Sequence, residues 1–283
     1  MKASELFKRS PWIKALVYGK PGTGKTTWAA KSPNPLYILT EPHGIPVVCM
    51  AAPDAEIDGC PSWPAFQAAM KRVAEGRKTE QGIVVVNKEG NEVLVTTIII
   101  DSLTDLHDRM AQYYNVSTSE GGWMRVASEM RDLMQFLRTL PVNIVCLCLA
   151  QIKDDDKSVR VTIPDLFGKA ATSVGQYFNA IGYAHKSKVG DEPAYGIAWD
   201  VSSSAFVTKR LPGSDATVPA VTVSPVGKRG ATLGAIAAAW LAGSEVVPVT
   251  CPEDDPSEVS VERAEMPAAA PPKQSKWKPA AKA

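Results

Sequence analysis

Short, nearly continuous apolar runs alternate along the chain with longer stretches in which apolar residues recur at helical spacing. Runs of the first kind predict buried β-strands, and stretches of the second kind predict amphipathic α-helices. The predicted strands lie at residues 12–18, 35–40, 97–100, 143–150, 180–185, 194–201 and 205–209. The predicted helices lie at residues 26–31, 62–76, 103–114, 123–139 and 232–241, and Ser62 is the expected N-cap of the second.

The order of these elements indicates the fold class. Strands that alternate with helices and are apolar on both faces are typical of an α/β domain, with a mostly parallel sheet flanked by helices on both faces. Residues 83–86 and 92–95 flank a turn-rich segment, so we expect a hairpin insertion at about residues 82–96. Ligands of such sheets bind beyond the carboxyl ends of the strands, so polar residues directly after strands are the first candidates for a site.

Composition is that of an ordinary globular protein, with 45% apolar and 22% charged residues over 283 positions. The chain has no apolar run of the ~20 residues that cross a membrane and no secretory segment at its N-terminus, so we expect a cytoplasmic protein without membrane contact. Cys146 and Cys148 lie two apart in a predicted strand and therefore on one face. Core thiols are the favoured interpretation of this pair, and a metal pair is the alternative.

Residues 244–283 differ from the rest of the chain, because they are rich in Pro, Ala and Lys and lack apolar periodicity. Such a segment cannot bury enough surface to offset its ordering entropy. We therefore predict one core domain at residues 1–243 and a disordered tail at residues 244–283. The net charge of +1 gives no strongly basic footprint for nucleic acid.

A glycine-rich segment between the first predicted strand and the first predicted helix fits the pattern G-x-x-x-x-G-K-[ST] at every fixed position. Backbone N–H groups of such a loop point at a polyphosphate, and the helix N-terminus adds a favourable dipole. Lys25 would reach the β- and γ-phosphates and the Thr26 hydroxyl would ligate Mg²⁺, so we expect ATP and Mg²⁺ as ligands. The predicted nucleotide-binding residues are Gly19, Lys20, Pro21, Gly22, Thr23, Gly24, Lys25, Thr26 and Thr27.

Asp101 follows the apolar run at residues 97–100, which is the pattern of a second nucleotide-binding motif, Walker B. Its carboxylate would hold Mg²⁺ beside Thr26, and capping of the next helix, a role that Ser102 could share, is compatible with this. Many AAA+ ATPases have a catalytic glutamate where this chain has Ser102, and a serine cannot act as that base. Glu41, which follows the second strand, is the best candidate for the base, and an ordinary loop glutamate is the alternative.

Gln151 follows the strand predicted at residues 143–150, where its amide could hydrogen-bond the γ-phosphate or the attacking water. Residues 152–172 are predicted to form a long loop that could report the nucleotide state. The candidates for stacking on the bases of single-stranded DNA are Tyr113, Tyr114, Trp123 and Trp277, although packing in the core is the favoured role for the first three.

The GKT loop, Glu41, the Asp101-Ser102 pair and Gln151 occur in the order seen in RecA-like recombinases, which the chain resembles over about residues 10–243. It looks most similar to small phage-encoded RecA-like ATPases with a single core domain, a group that includes the RecA-like single-strand annealing proteins of the fourth Sak type. The resemblance implies a RecA-like P-loop NTPase fold and the cytoplasm of a host cell as its location. It also implies single-stranded DNA as a partner, a homo-oligomer in a ring or filament, and action beside a single-strand binding protein.

The resemblance implies further roles for three basic residues. Lys169 would neutralise a DNA phosphate in the second DNA-binding loop. Lys209 and Arg210 would reach the γ-phosphate bound by a neighbouring subunit, which makes hydrolysis depend on assembly; a solvated loop is the alternative for this pair.

The chain also departs from full recombinases. We expect neither their long N-terminal oligomerisation region nor their extra domain here, and the loop after Gln151 is acidic where a basic one is expected. Both departures favour annealing or an accessory role in DNA recombination over strand exchange, carried out by an ATPase that DNA and assembly stimulate. The alternatives are an AAA-type remodeller or helicase loader, which Ser102 disfavours, a small-molecule kinase, for which an arginine-rich lid is not evident, and a non-catalytic ATP-binding protein.

Overall fold

The computed structural model describes residues 12–154, 160–166, 170–189, 192–199, 208–209 and 221–223. Contacts among residues divide the chain into two units, Met1–Val249 and Thr250–Ala283, and all described residues belong to the first. The helix predicted at residues 232–241 and the tail predicted at residues 244–283 lie outside the described residues.

The described strands and helices alternate over most of the chain. In chain order, the strands are β1 (Lys14–Gly19), β2 (Pro35–Leu39), β3 (Glu56–Gly59), β4 (Arg77–Thr79), β5 (Gly82–Val86), β6 (Glu92–Val95), β7 (Thr97–Asp101), β8 (Asn143–Cys148), β9 (Ala150–Asp154), β10 (Arg160–Pro164), β11 (Ala180–Val189), β12 (Glu192–Ala198), β13 (Thr208–Lys209) and β14 (Val221–Val223). The helices are α1 (Lys25–Ala29), α2 (Ile45–Ala51), α3 (Trp63–Glu75), α4 (Leu103–Tyr113), α5 (Gly122–Thr139) and α6 (Ala170–Ser173), with 3₁₀ turns at Pro42–Gly44 and Val174–Tyr177.

A nine-stranded sheet organises the described residues, in the order β14-β12-β11-β1-β8-β7-β2-β3, with β13 also pairing with β11. The strands from β11 to β3 are parallel to one another, and β12, β13 and β14 are antiparallel additions at one side. This confirms the predicted α/β class with a mostly parallel sheet. Strand β8 lies between β1 and β7, so the strand before the glycine-rich loop (residues 19–26) and the strand that ends at Asp101 are second neighbours.

Helices cover both faces of the sheet, as its apolar strands require. On one face, alternate residues such as Leu16, Ile98 and Ile144 pack with α3, α4 and α5. On the other face, the intervening residues, such as Val17 and Ile99, pack with α1 and α2. Cys146 and Cys148 both point into the first of these clusters, so the interpretation of this pair as core thiols is confirmed.

Two of the helices, α3 and α4, begin at capping serines. The Ser62 hydroxyl accepts a hydrogen bond from the Ala65 N–H at the start of α3, as predicted. The Ser102 hydroxyl accepts one from the Asp105 N–H at the start of α4. The predicted hairpin is also confirmed, because β5 and β6 pair antiparallel; β4 adds a third strand to it.

The prediction for residues 143–172 was partly wrong. Strand β8 ends at Cys148, because the N–H of Leu149 donates to the Thr104 hydroxyl (2.9 Å) and the chain leaves the sheet there. Instead of entering a long loop, the chain continues as β9, which pairs antiparallel with β10 in a separate two-stranded sheet. Gln151 therefore lies within this hairpin and not at the end of a central strand.

Candidate functional site

The glycine-rich loop at residues 19–26 connects β1 to α1 at the carboxyl ends of the parallel strands. Gly19 lies so close to the carbonyl of Ala184 on β11 that a Cβ at position 19 would collide with it. Gly24, which precedes α1, has a φ of 78°, a left-handed conformation that favours glycine. The hydroxyl of Thr23 donates to the Lys20 carbonyl (2.8 Å) and closes the turn.

Lys25 lies against the loop from which it projects. Its Nζ donates to the carbonyls of Gly19 (2.8 Å) and Lys20 (3.0 Å). Burial lowers the pKa of Lys25, and the nearby Asp101 carboxylate opposes that shift by favouring the charged ammonium. An anionic phosphate in the loop would favour the charged form in the same way.

Thr26 and Asp101 meet although 75 positions separate them in the sequence. The Thr26 hydroxyl donates to Asp101 Oδ2 at 2.8 Å. Burial raises the pKa of Asp101, while the hydrogen bond from Thr26 and the charge of Lys25 lower it. A hydroxyl and a carboxylate are hard oxygen ligands of the kind that Mg²⁺ takes together with water and phosphate oxygens. Within the described part of the chain, no group of three or more His, Cys, Asp and Glu side chains could hold a metal.

Glu41 approaches the same site from β2. The register pairs Leu39 of β2 with Asp101 of β7. The residues that follow β2 therefore lie beside the residues that follow β7. The Ser102 hydroxyl donates to Glu41 Oε1 at 2.6 Å. Glu41 also contributes to the raised pKa of Asp101 by like-charge repulsion, so the two carboxylates share one electrostatic environment.

The remaining predicted site residues are not brought to this cluster by the described contacts. Gln151 Nε2 donates to the carbonyls of Pro164 (3.1 Å) and Leu166 (3.0 Å), which fastens the β9–β10 hairpin. The backbone of Lys209, in β13, pairs with that of Ala180 in β11. The side chain of Lys209, and all of Lys169 and Arg210, lie outside the described part of the chain.

The aromatic candidates differ from one another. Tyr113 and Trp123, on either side of the α4–α5 turn, are 52% and 46% exposed, so their rings are not core residues. Tyr114 packs against the core and donates through its hydroxyl to Glu129 (2.8 Å).

Sequence reasoning missed two neighbours of the site. The Tyr195 ring of β12 would lie 3.5 Å from a Cβ at Gly24, with Lys186 Nζ 5.3 Å from the ring centroid. Nothing in the sequence signals this contact, because it depends on the pairing of β11 with β12. The other is Arg109, whose Nη2 donates to the Thr40 carbonyl (2.6 Å) and whose Nε donates to Asp105 (2.6 Å). The i,i+4 spacing from Asp105 could have indicated the second of these bonds.

Comparison with known proteins gives a family but no curated relative. A family model described as AAA domain matches residues 12–215. No curated protein matches the chain. None of the helices in the described part of the chain combines the length and apolar character needed to cross a membrane.

Solved structures resemble the chain only distantly. The flagellar accessory protein FlaH from Methanocaldococcus jannaschii is 13% identical, over 80% of this chain and 95% of that one, with a TM-score of 0.37. A KaiC-like protein from Pyrococcus horikoshii is 14% identical, over 65% and 76%, with a TM-score of 0.39. A third solved structure, an ATPase domain, is 13% identical, over 75% and 81%, with a TM-score of 0.40. Similarity at this level does not bear on what the chain binds or catalyses.

Proposed function

Since the chain belongs to the AAA domain family, we propose that it is a Mg²⁺-dependent ATPase that acts on single-stranded DNA. Family membership makes it a nucleotide-binding P-loop ATPase domain; the metal, the catalytic base and the DNA are the proposed parts. The observation that carries the proposal is the meeting of three strand ends, where Thr26 contacts Asp101 and Ser102 contacts Glu41.

The loop residues would bind and orient the triphosphate of ATP. Backbone N–H groups between Gly19 and Thr26 would surround the β-phosphate, and Lys25 would exchange its two carbonyl acceptors for phosphate oxygens. Thr26 and Asp101 would hold Mg²⁺, which, when bound, would neutralise charge on the β- and γ-phosphate oxygens.

Glu41 would accept a proton from the attacking water. It lies directly after β2, and Ser102, which follows the Mg²⁺ candidate Asp101, holds one of its oxygens. Glu41 thus takes the role that AAA+ enzymes give to the residue after Walker B. General-base catalysis contributes about 10²–10⁴-fold to a rate. A remodeller or helicase loader of the AAA+ type is disfavoured for the same reason.

Action on single-stranded DNA is supported by the exposed aromatics near the α4–α5 turn and by the resemblance to RecA-like annealing proteins. The Tyr113 and Trp123 rings are exposed enough to stack on bases, which is worth about 1–3 kcal/mol per base. Within this proposal, Lys169 contacts DNA, and Lys209 and Arg210 act on a neighbouring subunit of a homo-oligomer. Single-strand annealing, or assistance to a single-strand binding protein, is the role in recombination that we favour.

ATP turnover measured with and without single-stranded DNA tests the proposal. We expect DNA to stimulate hydrolysis, and Glu41→Gln to lower turnover about 10²–10⁴-fold while ATP binding is retained. Glu89→Gln, an exposed glutamate of the β5–β6 turn, is the matched control and should behave as wild type. Unchanged turnover in Glu41→Gln would reject Glu41 as the base. Turnover that ignores DNA, together with no DNA binding at low salt, would reject the DNA partner but not the ATPase.

A further inference from the structure

Ser102 has two hydrogen-bonding roles at once. It is 3% exposed and lies between Asp101 and the first turn of α4. Its hydroxyl oxygen accepts from the Asp105 N–H (3.2 Å), which caps the helix. A serine hydroxyl has one proton to donate, and here that proton is directed to Glu41 Oε1 at 2.6 Å. Capping uses only the acceptor, so the bond to Glu41 needs another explanation.

The backbone beside Glu41 is held from two sides. The Thr40 hydroxyl donates to the Ser102 carbonyl (2.9 Å) and accepts from the Ser102 N–H (2.9 Å). Arg109 of α4 donates to the Thr40 carbonyl, and its other nitrogens contact Asp105 and the Pro61 carbonyl. The chain segment that carries Glu41 is thereby fixed to the chain segment that carries Asp101.

We propose that Ser102 is a positioning residue for Glu41. This inference rests on the proposed ATPase function. A glutamate side chain in a loop samples several rotamers, and each hydrogen bond to a fixed partner removes part of that freedom. With Oε1 held by Ser102, the orientation of the carboxylate and of its second oxygen, Oε2, is set. Oε2 is the atom that takes the proton from water. The residue after Walker B thus supports the base instead of being the base.

Four variants separate positioning from capping. Ser102→Ala removes both hydrogen bonds, whereas Ser102→Gly removes the donor but remains a good N-cap, and Ser102→Thr keeps a hydroxyl for both bonds. Ser62→Ala is the matched control, because it removes the serine cap of α3 while the bond from Ser102 to Glu41 stays in place. The measurements are kcat, KM and the thermal unfolding midpoint of each full-length variant.

We expect Ser102→Ala and Ser102→Gly to lower kcat by similar factors, about tenfold to a hundredfold, with KM changed by less than about threefold. Ser102→Thr should retain most of the activity. Ser62→Ala should lose thermal stability, as Ser102→Ala does, while keeping the wild-type kcat.

Two results would overturn the positioning role without contradicting the proposed ATPase activity. The first is a wild-type kcat in Ser102→Ala. The second is a loss of kcat in Ser102→Ala that Ser102→Gly does not share, which would show a capping role alone. An inactive wild-type protein that still binds ATP would instead overturn the proposed function, and the positioning role with it. Because wild-type turnover is measured first, the two failures are distinguishable.

Discussion

Two lysines lie near opposite ends of β1, the buried Lys14 at its first residue and the half-buried Lys25 after the loop that follows it, and they differ in what stabilises their charge. Lys25 has the carboxylates of Asp101 and Glu41 nearby, and both oppose the effect of burial on its pKa. Lys14, at the start of β1, is 7% exposed and donates to the carbonyls of Leu140 (2.8 Å) and Val142 (2.6 Å). Burial lowers the pKa of Lys14 from 10.5 to about 7. In the proposed function the charge on Lys25 would contact a phosphate, whereas the charge on Lys14 is a cost to folding.

The lowered pKa of Lys14 predicts how stability depends on pH. Between pH 7 and pH 10.5 the unfolded chain keeps a proton on Lys14 that the folded chain has lost. The unfolded state binds more protons there, so the free energy of unfolding rises with pH across this window, by a few kcal/mol in all, and is flat below it. Lys14→Met should remove this contribution. Urea denaturation of both proteins from about pH 6 to pH 10 measures it.

The comparison is between the slopes of the two stability curves and not their heights, since methionine also leaves two carbonyls without their donor. Lys71→Met serves as the control, because Lys71 is an exposed residue that pairs with Glu75 one turn away. Its curve should run parallel to that of the wild type. A Lys14→Met curve that also runs parallel would contradict the predicted proton loss.

At the scale of elements, the antiparallel hairpin is fastened to the edge of the central sheet. Asp58 of β3 is 7% exposed and pairs with Arg72 of α3 and with Lys88 of the β5–β6 turn (2.8 Å). Asn87 in the same turn donates to Glu56 of β3 (3.2 Å). A cavity of about 170 Å³ lies among these groups, so water can reach the two cations. The edge strand β3, which would otherwise expose unpaired backbone, is covered in this way.

Asp58→Asn should destabilise the fold by about 1–2 kcal/mol, because it removes a charge that two cations share, although both cations can be hydrated in compensation. The loss should shrink at high salt. Glu92→Gln breaks the Arg77–Glu92 pair, whose side chains are 65% and 66% exposed, and should change stability by less than about 0.5 kcal/mol. Chemical denaturation measures the free energy of unfolding of both variants. Equal losses of stability in Asp58→Asn and Glu92→Gln would contradict the prediction.

The elements that sequence reasoning found, and those that it missed, differ in where their stability comes from. β1, β2 and β7 are apolar on both faces, and that pattern is visible in the chain. β3 reads Glu-Ile-Asp-Gly and forms because β2 offers it a partner, while β9 and β10 pair with each other outside the central sheet, and the Gln151 side chain adds to their backbone bonds. Periodicity carries no signal for either case.

The residues and contacts of the candidate site also differ in whether the sequence could predict them. Lys25, Thr26, Asp101 and Glu41 could be predicted, because the carboxyl ends of parallel strands meet at one edge. The bond between Ser102 and Glu41 could not, since it requires β2 to lie beside β7 with Leu39 opposite Asp101. Gln151 was misplaced because the chain leaves β8 at Leu149, where a threonine hydroxyl replaces a strand partner.

At the scale of the whole molecule, β8 joins the two halves of the site. It pairs with β1 on one side and with β7 on the other, and its cysteines, Cys146 and Cys148, are fully buried. Burial raises the pKa of both thiols, that of Cys148 to about 12. The thiolate is the reactive form of cysteine, so these two residues react only when the sheet around them opens.

Alkylation of Cys146 and Cys148 therefore reports the opening of the molecule, and nucleotide should slow it. A ligand that binds only the folded state lowers the open population by 1 + [L]/Kd, so ATP at about a hundred times its Kd should slow the labelling about a hundredfold. Peptide mapping by mass spectrometry follows each cysteine, and the exposed Cys49 should react in the folded protein.

In Lys25→Ala the protection of Cys146 and Cys148 by ATP should be lost, because the phosphates lose their cation. Protection that persists in this variant would mean that ATP binds elsewhere, and labelling of Cys146 as fast as Cys49 would mean that the sheet between the two halves of the site is not closed.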